Sequence, residues 1–137
     1  VFGKINIKTG ELVYINAGHE SILVFDKNKN YEYIKSEMPP LGIVKYFTES
    51  MVKSSTMDLK DKTLVVYTDG VTEGYIKSGE ELGAEGVQKI VDNMSEVTPK
   101  NIVESIEKEL NWGAEKLRDD ITCMAINIDN TELIKKK

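Results

Sequence analysis

Leu64-Val65-Val66-Tyr67-Thr68-Asp69-Gly70-Val71-Thr72-Glu73 is the stretch on which the reading of the fold turns. An apolar, β-branched and aromatic run that stops at Asp-Gly reads as a buried strand carrying a carboxylate into a tight turn. A second such place lies near the C-terminus, where Arg118-Asp119-Asp120 directly precedes the strand-like run Ile121-Thr122-Cys123-Met124-Ala125-Ile126. If the two strands are neighbours in one sheet, their carboxylates meet. Oxygen ligands on rigid strand ends suit Mg2+ or Mn2+, which are anchored by few carboxylates and keep several waters. A single Cys and a single His argue against a thiolate or multi-histidine zinc site. The spacing also fits a plainer role, because Asp side chains at strand ends hydrogen-bond the backbone just beyond them and shape turns.

The 137 residues suffice for one domain with its own core, and 40% hydrophobic with 30% charged residues is ordinary for a globular protein. A net charge of -5 speaks against a nucleic-acid partner, which is held by clustered Lys and Arg. No apolar run approaches the roughly 20 residues of a membrane span, and none reads as a signal peptide, so the expected compartment is the cytoplasm. Lys135-Lys136-Lys137 reads as a solvated tail. Cys123, within an apolar run, is expected to be a small buried core residue with an ordinary thiol.

From Phe2 to Ile34 the pattern predicts a β-meander: Phe2 to Ile7, Glu11 to Asn16, Ser21 to Phe25 and Tyr31 to Ile34. The alternations Ile5/Ile7, Leu12/Tyr14 and Ile22/Val24 support one buried face. Met38-Pro39-Pro40-Leu41-Gly42 interrupts regular structure. Thr48 to Met57 and Thr63 to Thr68 are expected strands. Val87, Ile90, Val91 and Met94 fit one helix face. Pro99 opens a second helix with Ile102, Val103, Ile106 and Leu110 at helical spacing, ending at Trp112 and Gly113. Ile121 to Ile128 returns to strand. Strands, two helices and a closing strand indicate an α+β domain with helices covering a largely antiparallel sheet.

Four blocks in order, Asn16-Ala17-Gly18-His19, Pro40-Leu41-Gly42, Tyr67-Thr68-Asp69-Gly70-Val71-Thr72-Glu73 and Asp119-Asp120-Ile121-Thr122, resemble the PPM-type metal-dependent serine/threonine phosphatases. Within them the chain looks most like the bacterial branch of stage II sporulation protein E and the Rsb phosphatases, from Phe2 to Ile128. The resemblance implies an α/β/β/α arrangement, a largely antiparallel β-sandwich flanked by helices. The family's N-terminal D-x-x-G-H-G block is absent from this sequence. Residues 1–128 thus look like the C-terminal part of one phosphatase domain lacking its N-terminal strands and helix, followed by a polar tail, 129–137. An uncovered sheet edge of this kind leads to the expectation of self-association as a homodimer or of a marginal fold.

By the resemblance, Asp69 and Asp119 are ligands of two Mn2+ or Mg2+ ions per complete site. Gly70, Glu73, Asp120 and His19 are supporting positions or ligands of an additional metal. Glu73 follows Asp69 by four residues, so a helical turn would bring the two carboxylates to one side; the alternative for it is a first-turn acid favoured by a helix's positive end. Asp120 is read as a turn residue or as orienting its neighbour, His19 as structural or near the site, Pro39, Pro40 and Gly42 as loop formers, and Arg118 as the ion-pair neighbour of the aspartates. The implied activity is hydrolysis of phosphoserine or phosphothreonine in a regulatory protein by a metal-activated water. The implied substrate is a phosphorylated protein such as an anti-sigma-factor antagonist. Without the N-terminal block the chain alone is expected to bind Mn2+ weakly and to be inactive. The rival reading is a non-catalytic interaction module of phosphatase-like fold, against which the presence of both Asp69 and Asp119 counts.

Overall fold

The computed structural model describes residues 1–110 and 119–128, so that Trp112, Gly113, Arg118 and the tail 129–137 lie outside the described residues. In chain order, β1 (Phe2–Ile5) and β2 (Glu11–Ile15) form one hairpin, and β3 (Ile22–Asp26) and β4 (Tyr31–Ile34) a second. A 3-10 turn at Glu49–Met51 leads to β5 (Ser55–Asp58) and β6 (Lys62–Tyr67), followed by α1 (Asp69–Thr72), α2 (Gly83–Asp92), α3 (Pro99–Leu110) and β7 (Cys123–Asn127). The strands make two antiparallel sheets, ordered β1-β2-β5 and β4-β3-β6-β7.

The central strands β3 and β6 serve two cores at once. On β3, Ile22 and Val24 face the three-stranded sheet and pack with Leu12, Leu59 and Leu64, whereas Leu23 and Phe25 face the helices. The period of two sends neighbouring side chains to opposite faces, so a strand between two apolar layers reads as a continuous run. The helical layer closes the second core with Val87 and Val91 of α2 and Ile102, Ile106 and Leu110 of α3, in steps of one helical turn. Helix α3 starts where Thr98 accepts the Asn101 amide on its hydroxyl at 3.2 Å, with Pro99 at the first helical position. The outer face of the three-stranded sheet carries exposed Phe2, Val13 and Thr56. No helix among the described residues is long and apolar enough to cross a membrane.

The fold is the expected α+β sandwich with helices, with four local corrections. The first four strands are not one meander: β2 pairs with β5, and β3 pairs with β6, because the chain changes sheets at Asn16-Ala17-Gly18. There Asn16 caps the crossing, taking the His19 amide at 3.0 Å and donating to the Glu20 and Ile34 carbonyls at 3.4 Å. Gly18 has φ +74°, and any Cβ on it would overlap the Pro40 ring. Strand β1 ends before Ile7, which is exposed, because the Asn6 side chain accepts the Lys8 amide at 3.0 Å and opens a turn. The expected strand from Thr48 to Met57 is confined to β5, since the Met51 amide turns back to the Thr48 carbonyl at 3.0 Å. Cys123 is only half-buried, and its thiol is not ordinary: burial pushes it up to about 11.

Tyr67, the register partner of Cys123, is 1% exposed, and its hydroxyl has no hydrogen-bond partner among the described residues. Burial, ahead of the neighbouring Tyr33 and Glu20, pushes this phenol up to about 12. Both groups have folded-state values above their ordinary 9.0 and 10.0, so the unfolded chain releases their protons first. The contribution of these two groups to stability is therefore complete below about pH 9 and is lost as the pH rises, through Cys123 up to about 11 and through Tyr67 up to about 12. Tyr67→Phe removes a hydroxyl that lost its water without replacement and is expected to raise stability near neutral pH by about 1 kcal/mol. In urea unfolding from pH 7 upward, the variant should also lose the part of the alkaline decline that sets in above the ordinary tyrosine value of 10.0. An unchanged alkaline profile would contradict this assignment.

Candidate metal centre

The ladder between β6 and β7 carries the two acid segments to one place. Tyr67 lies opposite Cys123, and the pairing continues beyond the strands, with the Thr68 amide donating to the Thr122 carbonyl at 3.0 Å. The Thr122 amide in turn donates to the Thr68 hydroxyl at 3.1 Å, and that hydroxyl donates to the Asp120 carbonyl at 3.2 Å. One residue further the chain turns into α1, and Gly70 lies buried against the other segment: a Cβ on Gly70 would stand 2.5 Å from the Asp120 carbonyl oxygen. Asp69 thus leaves β6 beside the point where Asp119 and Asp120 enter β7.

Both aspartates act as turn formers, and this leaves room for the ligand role. Asp69 takes the Gly70 amide on Oδ1 at 3.0 Å, and Asp119 takes the Asp120 amide on Oδ1 at 2.7 Å. Each carboxylate makes this one backbone bond, and its second oxygen is without a hydrogen-bond partner among the described residues. Asp69, Glu73, Asp119 and Asp120 are all exposed, and none forms an ion pair within the described residues, where the only ion pairs are Lys62–Glu32 and Lys100–Glu104. Several carboxylates around one strand end with no described cation beside them form a hard, oxygen-only donor set, which is the chemistry that Mg2+ and Mn2+ accept. The donor type fits such an ion. The donor count is smaller than a closed cage requires, since no group of three or more His, Cys, Asp or Glu among the described residues is arranged to hold a metal.

Glu73 closes the helical turn that Asp69 opens. Its amide donates to the Asp69 carbonyl at 2.7 Å, the i to i+4 bond of the α1 turn. The alternative of a first-turn acid is corrected: Glu73 is the C-terminal cap of α1, away from the positive end, and Asp69 is the acid of the first turn. His19 precedes β3, which runs antiparallel to β6 and so begins at the end where β6 stops. It is half-buried, and its Nδ1 lies 3.1 Å from the Glu20 carbonyl. A carbonyl only accepts, so Nδ1 is the donor in this contact. Pro40 serves the fold by seating Gly18, while Ala17 bridges to Met38, so the first two sequence blocks brace each other beside the same sheet end. Arg118 lies outside the described residues. The reading of the sequence singled out the acids and passed over Thr68 and Thr122. Their signal is Thr68 directly before Asp69 and Thr122 two residues after Asp120, each beside a strand end where a hydroxyl on one can bond the backbone of the other.

The family model described as stage II sporulation protein E (SpoIIE) matches residues 1–129. Protein IcfG of Synechocystis sp. is 32% identical over 128 residues, covering 91% of this chain and 20% of IcfG. The manganese-presoaked phosphatase domain of SpoIIE from Bacillus subtilis superposes with a TM-score of 0.68 at 18% identity, over 93% of this chain and 55% of that one. The PP2C domain of SiaA from Pseudomonas aeruginosa gives 0.68 at 19% identity, over 88% and 47%. The chain thus spans about half the length of these solved phosphatase domains. With the ordered blocks, the two-sheet architecture and the match over nearly all of its length, the chain belongs to the stage II sporulation protein E family and has the PP2C phosphatase fold.

Proposed function

We propose that this chain supplies part of the divalent-cation site of a protein serine/threonine phosphatase, with Asp69 and Asp119 as its ligands. The remaining ligands of two Mn2+ or Mg2+ ions would come from outside the described residues. The observation that carries the reading is the backbone approach of Gly70 to Asp120, which delivers acids separated by 50 positions in sequence to one strand end. Family membership supports the reaction class. The substrate is a phosphoserine or phosphothreonine of a regulatory protein, and a phosphorylated anti-sigma-factor antagonist is the class we favour.

When bound, a divalent cation supplies Lewis-acid stabilisation of the charge that builds on the phosphoryl oxygens. Asp69 and Asp119 each keep one oxygen on the amide of the next residue, which restricts the rotamers open to the other before any ion arrives. This lowers the ordering cost of binding. Glu73, one helical turn beyond Asp69, offers a further carboxylate for an additional ion, and Asp120 adds negative charge beside Asp119. His19 has no assigned step.

A second reading, an interaction module that keeps the shape without the metal chemistry, is favoured by one observation: the described donors fall short of a three-ligand set. Titration separates the two. Following Mn2+-induced broadening of amide signals, Asp69→Asn and Asp119→Asn are each expected to weaken binding at least about tenfold, or roughly 1.4 kcal/mol. Asp58→Asn, on the other sheet, should leave it unchanged. Equal responses in all three would leave the module reading standing. In the active protein, hydrolysis of a phosphoserine peptide should cease in excess chelator and return with Mn2+.

Gly70→Ala tests the approach itself. The added methyl meets backbone rather than a movable side chain, so the segments must part. Unfolding in urea is expected to show a loss of about 1–3 kcal/mol, and Mn2+ binding should weaken with it. An alanine variant as stable as the parent, with unaltered binding, would show that the contact is not required.

A further inference from the structure

The geometry points to Thr68 as a positioning residue that sets the spacing of the two acid segments through its hydroxyl. The inference rests on the metal reading given above and assigns a task to a residue that is not itself a ligand. A threonine hydroxyl has one proton and two lone pairs, and here it uses both functions across the strand pair. It donates to the Asp120 carbonyl at 3.2 Å and accepts the Thr122 amide at 3.1 Å. The backbone of the same residue donates to the Thr122 carbonyl at 3.0 Å, so Thr68 grips the entrance of β7 at three atoms.

The placement explains why a side chain is needed. Among the described residues strand β7 is the edge of its sheet, paired with β6 alone, and the regular ladder stops at Tyr67 and Cys123. Beyond that pair one backbone bond, from the Thr68 amide to the Thr122 carbonyl, remains, Asp119 and Asp120 are exposed, and edge backbone so thinly bonded opens readily. On the opposite flank, Asp69 is fixed by α1 and by Gly70. The hydroxyl is the part that ties the free segment to the fixed one. Gly70 sets how near the segments can come, and Thr68 keeps them there. Without the hydroxyl, the ion itself would have to order Asp119, and affinity falls by that ordering cost.

The test uses Thr68→Val, which keeps the branched shape and removes the hydroxyl, and Thr68→Ser, which keeps the hydroxyl and removes the methyl, both in the full chain. Two readouts are taken: hydrogen exchange of the Thr122 amide without metal, and the Mn2+ concentration that half-broadens the Gly70 and Asp120 amide signals. Thr68→Val is expected to speed exchange of the Thr122 amide and to raise the half-broadening concentration, each on the order of tenfold. Thr68→Ser should return both to within about threefold of the parent, a rescue that loss of packing alone would not give. If Thr68→Val does not fold, Thr68→Ala is held to the same expectations. Faster exchange in the valine variant with unchanged Mn2+ response overturns the positioning role and leaves the metal reading intact, as does failure of serine to rescue. Absence of any Mn2+ response at Gly70 and Asp120 in the parent chain sinks the metal reading, and the positioning role falls with it.

Discussion

The pairing of β6 with β7, extended past its last regular rung to the contact of Gly70 with Asp120, is the constraint on which the molecule's candidate chemistry depends. Two carboxylates fifty positions apart in the chain repel one another and would lose much conformational freedom if held together by themselves. The burial of two apolar layers does that holding. Leu23 and Val65 lock β3 to β6, the α3 side chains cover the same sheet, and the acids occupy the end of a frame already paid for by the core. The site is therefore an outgrowth of packing: whatever shifts the register of β7 by one residue exchanges its two faces and removes the acids from reach of each other.

Much of this frame was legible in the residues. The apolar run ending at Asp69 reads as a strand because β-branched and aromatic side chains leave few other choices, and α3 announces itself through Pro99 and a helical spacing of Ile102, Ile106 and Leu110. The meander was misread because alternation within a strand says which face is apolar and nothing about which neighbour it faces. Asn16 and Gly18 carry the chain from one sheet to the other by bonds to Glu20, Ile34 and the Pro40 ring that no local pattern contains. The strand expected across Thr48 shortened for a similar reason, since a local turn claimed its backbone first.

At the site, the acids were visible and their support was not. Aspartates next to strand ends stand out by residue type, whereas the significance of Thr68 arises only when Thr122 lies across from it. Of the two roles that spacing left open, the turn-forming one is met by one oxygen of each aspartate, and the ligand role proposed above calls on the other. Glu73 likewise could be placed on the Asp69 side of a helical turn from spacing, but only the extent of α1 shows that it closes that helix. Sequence readings fail here at interactions that need two distant segments to be seen together.

The division of the acids between β6 and the final described strand has a bearing on biosynthesis. A nascent chain emerging from the ribosome exposes Asp69 while Asp119 is still being added or is confined in the exit tunnel, and chains fold broadly from the N-terminus as they are made. The acid pair cannot assemble at that stage, so any chemistry at this end of the molecule waits for release of the closing strand. Completion of both cores waits for the same strand, since Ile126 and Ile128 pack into one and Cys123 and Ala125 against the other.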